Sequence, residues 1–210
     1  MAVKSQGTTI AIETTRAATK AITAITSAVP PVVSSSTHGF TAGQIVYLAG
    51  VVGMTQLNGR VFVVANPAAG TFELKGVDAT TYSAYVSGGT AALLTMTAIG
   101  QVKDIAMPGG AADDIEVSHL LSVTKEFLVG LADEGDATFT LWEDPSDTAQ
   151  AALRTAQAAQ SVKGFTVTGS DAKVACFPGI VKQYGFTIGG NGAREANCTV
   201  KVSAGKAYFA

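Results

Sequence analysis

Residues 136–143 alternate without interruption: Ala137, Phe139 and Leu141 fall on one side of an extended chain, Thr138, Thr140 and Trp142 on the other. Successive side chains of a strand point to opposite faces, so this period of two predicts a strand with one buried face. It runs into Asp144-Pro145-Ser146-Asp147. Here Asp144 is expected to cap a helix, Pro145 to take its first position, and Asp147 to add negative charge to the first turn. Ala149, Ala152, Leu153 and Ala156 then recur at helical spacing. They predict a short helix that lays a flat, alanine-rich face on a sheet, packing closely while burying little area.

The remaining patterns are also those of strands. Short alternating runs occupy 99–105 and 113–119 before the helix, and 162–168, 173–177, 181–188 and 196–202 after it. The stretch 124–135 mixes Phe127, Leu128, Val129 and Leu131 with Lys125, Glu126, Asp133 and Glu134, and reads as a long loop with an apolar anchor. Near the start, Thr8 to Glu13 alternate as a terminal strand or a loose tail.

Between 20 and 97 the texture changes. A strand pattern over 21–28 stops at Pro30-Pro31, and a turn at 37–40 precedes a strand over 44–48. Asn58-Gly59 between apolar runs signals a hairpin into 60–65. Strands over 71–75, with Phe72 and Leu74 inward, and over 91–96 complete a small β-barrel or sandwich of about 78 residues. Only five charged residues fall in this span: Lys20, Arg60, Glu73, Lys75 and Asp78.

Composition narrows the classes. Of the 210 residues, 14% are charged, against about 25% in ordinary soluble domains, so part of the surface is suited to contact with protein. A formal net charge of −2 argues against a nucleic-acid-coating protein, which would be basic. No apolar run approaches the ~18 residues needed to span a bilayer, and the opening lacks the apolar core of a signal peptide. A cytoplasm, or a particle assembled there, is the expected setting. Cys176 and Cys198 lie on strand patterns and read as small buried hydrophobes in a reducing compartment. A disulfide would need adjacent Cβ atoms, and a two-Cys metal site lacks further ligands nearby.

No catalytic, cofactor-binding or metal-binding set emerges. Asp113-Asp114 and Asp133-Glu134 are neighbours in sequence, and neighbours on a strand face opposite ways. His38 and His119 have no nucleophile-elbow pattern near them. Gly88-Gly89, Gly109-Gly110 and Gly189-Gly190 lack phosphate-loop spacing and read as turns. Charge, however, is segregated. Eleven of sixteen acids lie between Asp104 and Asp147 beside one base, Lys125, whereas six bases and two acids follow Ser161. Ordinary solvated turns account for this, and so do opposed faces for head-to-tail contact between copies.

Asp114-Ile115-Glu116-Val117, the segment 124–130, the strand 138–141 and the Asp-Pro opening of the Ala-Leu-Arg helix resemble the major tail tube protein of bacteriophages with long, non-contractile tails. The likeness spans 1–16 and 98–210. Within 20–97, His38-Gly39-Phe40, Gly43, Val46-Tyr47, Gly53-Met54-Thr55, Leu57-Asn58-Gly59-Arg60, Phe72-Glu73-Leu74, Asp78, Tyr82, Tyr85 and Gly88-Gly89 are similar to a small module of phage virion proteins. That module is itself likened to the first catalytic cysteine half-domain of ubiquitin-activating enzymes. The span has no cysteine, so thioester chemistry does not accompany the likeness.

The resemblance implies a mainly β protein: a tail tube β-sandwich or barrel with one short α-helix over 1–19 and 98–210, and an inserted β-barrel-like domain over 20–97 on the tube exterior. It implies hexameric rings stacked into a virion tail tube, assembled in the host cytoplasm around a tape-measure protein between tail-tip and terminator proteins. Double-stranded DNA would pass through without specific binding. Glu116, Asp136 and Glu143 are the candidates for a lumen lining of carboxylates that repels phosphates. The 1–16 arm and the 120–135 loop, with Lys125, Glu126, Phe127, Leu128 and Leu131, are the candidates for contact between rings. Two other classes fit the residues: a surface-binding adhesin or decoration module acting through 20–97, and a small hydrolase using scattered acids.

Overall fold

The computed structural model describes residues 6–107, 109–189, 192–205 and 208–209. The strands, in chain order, are β1 (Thr9–Arg16), β2 (Lys20–Ala21), β3 (Ala24–Ile25), β4 (Val32–Ser34), β5 (Ile45–Val52), β6 (Arg60–Ala65), β7 (Thr71–Leu74) and β8 (Ser87–Ala98). Then follow β9 (Val102–Ala106), β10 (Ala111–Glu116), β11 (Phe127–Asp133), β12 (Asp136–Trp142), β13 (Val162–Thr168), β14 (Val174–Thr187), β15 (Glu195–Val202) and β16 (Tyr208–Phe209). One α-helix, α1 (Thr148–Ala159), lies between β12 and β13 among the described residues. The protein is mainly β, as expected.

Fourteen strands form one curled sheet in the order β3-β4-β7-β6-β5-β8-β1-β13-β14-β15-β12-β9, with β16 and β2 alongside. Two large cores lie along it. Ile10, Ile12, Phe139, Leu141, Leu153, Phe165, Phe177 and Val200 fill the first, under α1; Val33, Val46, Leu48, Met54, Leu57, Phe72 and Leu74 fill the second, within the first hundred residues. Burying each such side chain is worth about 1.5–3 kcal/mol. The long strand β8 joins the two: Leu94 sits opposite Ile45 of β5 on one side and Arg16 of β1 on the other. A third cluster of Ile45, Val61, Val63 and Leu94, with Val174 and Cys176 packed on it, seals β6 against β14. The Cys176 thiol donates to the Val61 carbonyl at 3.2 Å.

A buried ion pair adds to this junction. The Glu13 carboxylate, 2% exposed, accepts from Arg16 Nε at 2.8 Å and Nη2 at 2.9 Å, and from the Gly164 N–H at 2.8 Å. Arg16 in turn stacks 4.0 Å over the Tyr47 ring of β5. Carboxylate, guanidinium and ring thus tie β1, β13 and β5 together, with the charge satisfied on every side as burial requires.

Several local expectations need correction. The helix cap is Asp147: its Oδ1 accepts from Ala149 N at 2.7 Å and Gln150 N at 2.9 Å. Asp144 instead closes a tight turn on Ser146, accepting from N at 2.9 Å and Oγ at 2.6 Å. Of the two readings of the opening, the strand holds over Thr9–Arg16: β1 pairs with both β8 and β13, and its Ile10 and Ile12, opposite Val167 and Phe165 of β13, are fully buried. Within 124–135, Phe127–Asp133 form a strand rather than a loop, β11, paired with β10. The runs 173–177 and 181–188 are one strand, β14, bulged at Lys182. Gly88-Gly89 is not a turn but a kink inside β8, where Gly89 has φ +94° and an added Cβ would sit 2.7 Å from Val51. Gly190 and Lys206 lie outside the described residues.

Candidate assembly interface

β10 and β11 form a two-stranded sheet of their own that makes no extended contact with any other strand or helix. Ile115 pairs with Leu128 and Glu116 with Phe127, so Ile115 and Leu128 share one face while Phe127 and Val129 share the other. The register slips between Ala112 and Asp114, and Gly130 takes up the slip. An added Cβ there would lie 2.9 Å from the Asp113 carbonyl, so the close approach of the strands requires glycine.

Large apolar side chains on this hairpin face solvent on both sides. Val129 and Leu131 are 79% and 92% exposed, and Leu120, Leu121 and Val123 at the tip are 86% or more. An isolated hairpin is marginally stable in water, and contiguous exposed apolar surface of this extent marks an interaction site. The sequence expectation placed Lys125, Glu126, Phe127, Leu128 and Leu131 in contact with other subunits, and all five lie together on this arm.

The lumen candidates are not together. Glu116 is on the hairpin, with Lys125 Nζ at 3.2 Å. Asp136 opens β12 and meets Lys182 at 3.1 Å and Lys201 at 3.9 Å. Glu143 follows the far end of β12, its side chain only 7% exposed, against Arg194 at 3.3 Å. The hairpin root is pinned by an ion pair between Asp133 and Lys201, which holds the carboxyl below and the ammonium above their ordinary values. Three acids of the middle, Asp133, Asp136 and Glu143, are therefore neutralised by bases from the end of the chain within one subunit. Among the described residues, Asp113, Asp114, Glu126 and Glu134 make no ion pair.

The other candidates are structural. His38 is buried against Phe40 and Phe72. Its Nδ1 accepts from Phe40 N at 3.0 Å and its Nε2 donates to the Ala68 carbonyl at 2.8 Å, which fixes the neutral tautomer. His119 sits in the exposed hairpin tip, where its Nδ1 accepts from Leu121 N. Both cysteines are free thiols, and burial pushes each up to about 12. No group of three potential metal ligands occurs among the described residues, and no helix there is long and apolar enough to cross a membrane.

Sequence reasoning missed Gln150. It is fully buried, with Oε1 accepting from Asp144 N at 2.9 Å and the Tyr184 hydroxyl at 3.2 Å. Its Nε2 donates to the carbonyls of Trp142 at 3.0 Å and Gly100 at 3.3 Å. Nothing in the local pattern separates it from the solvent-facing glutamines of the same helix.

Fold and surface together define a β-sheet subunit with an open apolar arm. Residues 77–177, which contain that arm, match the family model for the lambda-like phage tail tube protein, and residues 29–94 match that for the FCCH domain of ubiquitin-activating enzyme E1. The chain is thus similar to a phage tail tube protein over one stretch and to an E1-like module over the other, the two likenesses that the resemblance in the sequence implied. No curated protein matches it. The two matches overlap at 77–94, which takes in the part of β8 paired with β5.

Proposed function

We propose that this chain is the structural subunit of a phage tail tube: it assembles into hexameric rings, the rings stack, and the resulting tube conducts double-stranded DNA from the virion. The observation that carries this reading is the tail tube match over 77–177, a stretch that includes the unpartnered apolar hairpin. Catalysis has no part in it. Subunits meet in the host cytoplasm around a tape-measure protein, between tail-tip and terminator proteins, and DNA passes without specific binding. The 20–97 module projects from the tube exterior, since a bulky insert in the lumen would block it. Of the proposed lumen carboxylates, Glu116, Asp136 and Glu143 each have a basic neighbour. The unpaired Asp113, Asp114, Glu126 and Glu134 add the net negative charge that keeps phosphates from adhering.

The test is a charge placed on the arm. Leu128→Glu with Leu131→Glu should leave the melting temperature within a few degrees of the parent, because both side chains are more than half exposed. Light scattering should show the higher-order particles of the parent reduced to the smallest soluble species. Undiminished assembly of the double variant would contradict the reading.

A further inference from the structure

The hairpin leaves the sheet at the end of β12 that carries Asp136. The opposite end of the same strands, roughly 20 Å away over seven residues, carries a second exposed apolar patch. There Trp142, Glu195 and Thr187 form one cross-strand row, with Trp142 on one face of the sheet. Phe186, half exposed, lies on the other face, and Ile188, 65% exposed, follows directly after the strand.

We infer that this rim, Trp142 with Phe186 and Ile188, is the receiving site for the β10–β11 hairpin tip of a second copy of the chain. The inference rests on the tail tube reading and adds the surface that closes the junction. Three observations favour a second copy over an unrelated partner. Donor and receiver lie at opposite ends of one set of strands, so translation along the strand direction brings one onto the other. A heterologous contact of that kind repeats without closing, which is the geometry of a stack.

Neither surface strands a charge when buried. The tip, residues 117–124, contains no Asp, Glu, Lys or Arg. The rim charges are already paired within the subunit, Lys103 with Glu195 at 3.0 Å and Arg194 with Glu143 at 3.3 Å, while Lys103 also caps the Trp142 ring at 4.2 Å. Burying unpaired charge is what most penalises such contacts. The hairpin, moreover, exposes apolar side chains on both faces and the rim presents apolar groups on both faces, so a hairpin can clasp the sheet end from either side.

The experiment mixes two variants. Leu120→Glu with Leu121→Glu disables the tip; Phe186→Glu with Ile188→Glu disables the rim; circular dichroism and melting confirm that both remain folded. Each variant alone should form no stacks. Their mixture retains one intact tip and one intact rim, and should yield a discrete two-layer particle by analytical ultracentrifugation and electron microscopy. As an independent readout, Leu121→Cys mixed with Ile188→Cys should give an intersubunit cross-link with a short bis-maleimide, the native thiols being buried. Normal tubes from the rim variant, beside tubes from the parent chain, overturn the receiving site while leaving the tube reading intact. A parent chain that never forms tubes, even with a tail-tip seed and tape-measure protein, overturns both.

Discussion

Gln150 lies beneath the first turn of α1 with both ends of its amide bonded to backbone, at Asp144, Trp142 and Gly100. Replacing it by alanine leaves buried donors and acceptors without partners, each costing about 1–3 kcal/mol. Gln150→Ala should therefore lower the urea unfolding free energy by about 3 kcal/mol, a cost that an exposed helix position would not show. The thiols give a second residue-scale expectation. Burial raises both from the ordinary 9.0 to about 12. Between those values the unfolded chain has lost protons that the folded chain keeps, so stability is fully present below pH 9 and falls as pH rises toward 12. Thermal melts from pH 8 to 11 should decline, and the decline should be shallower in Cys198→Ala. Labelling of the folded parent by a thiol reagent at pH 8 should be slow and should accelerate on unfolding.

At the scale of elements, strict periodicity was legible and broken periodicity was not. β12 follows its sequence pattern because one face, Ala137, Phe139 and Leu141, is uniformly apolar. β11 reads as a loop because the slip at Gly130 disturbs the alternation and its apolar groups face solvent, not a core. Pro178-Gly179 in the interior of β14 divides it into two apparent strands, because proline and glycine read as a break in a strand pattern. The sequence pattern puts the cap at Asp144, three residues ahead of the aspartate that caps the helix. Placing the cap at Asp147 lets Gln150 point inward and lets Asp147 Oδ2 accept from Gly100 N at 3.0 Å. Asp147→Ala should cost about 1–2 kcal/mol, whereas Asp144→Ala should change the melting temperature little; the reverse order would return the cap to Asp144.

For the whole molecule, β8 decides how separable the parts are. The change in texture at 20 and 97 is plain in the sequence, but a strand that serves two units leaves no mark in a single linear pattern. Removing 20–97 takes away the strand that pairs with β1 and opens the Glu13–Arg16–Tyr47 junction. Such a deletion should yield insoluble or partly folded protein, and the intact chain should unfold in a single calorimetric transition. Two separate transitions, with a well-folded deletion variant, would show that the units are independent. The charge pattern carries a similar lesson. Its segregation along the chain suggests opposed faces, yet folding sets β12, β14 and β15 side by side and pairs Asp133, Asp136 and Glu143 with Lys201, Lys182 and Arg194 in cis.

The tube assignment is tested most directly by negative-stain electron microscopy of the purified chain across concentration and ionic strength, with and without a tail-tip seed and tape-measure protein. Hollow tubes or stacked sixfold rings of uniform diameter are predicted, lost in Leu128→Glu with Leu131→Glu. A compact monomer under every one of those conditions, seed included, would contradict it.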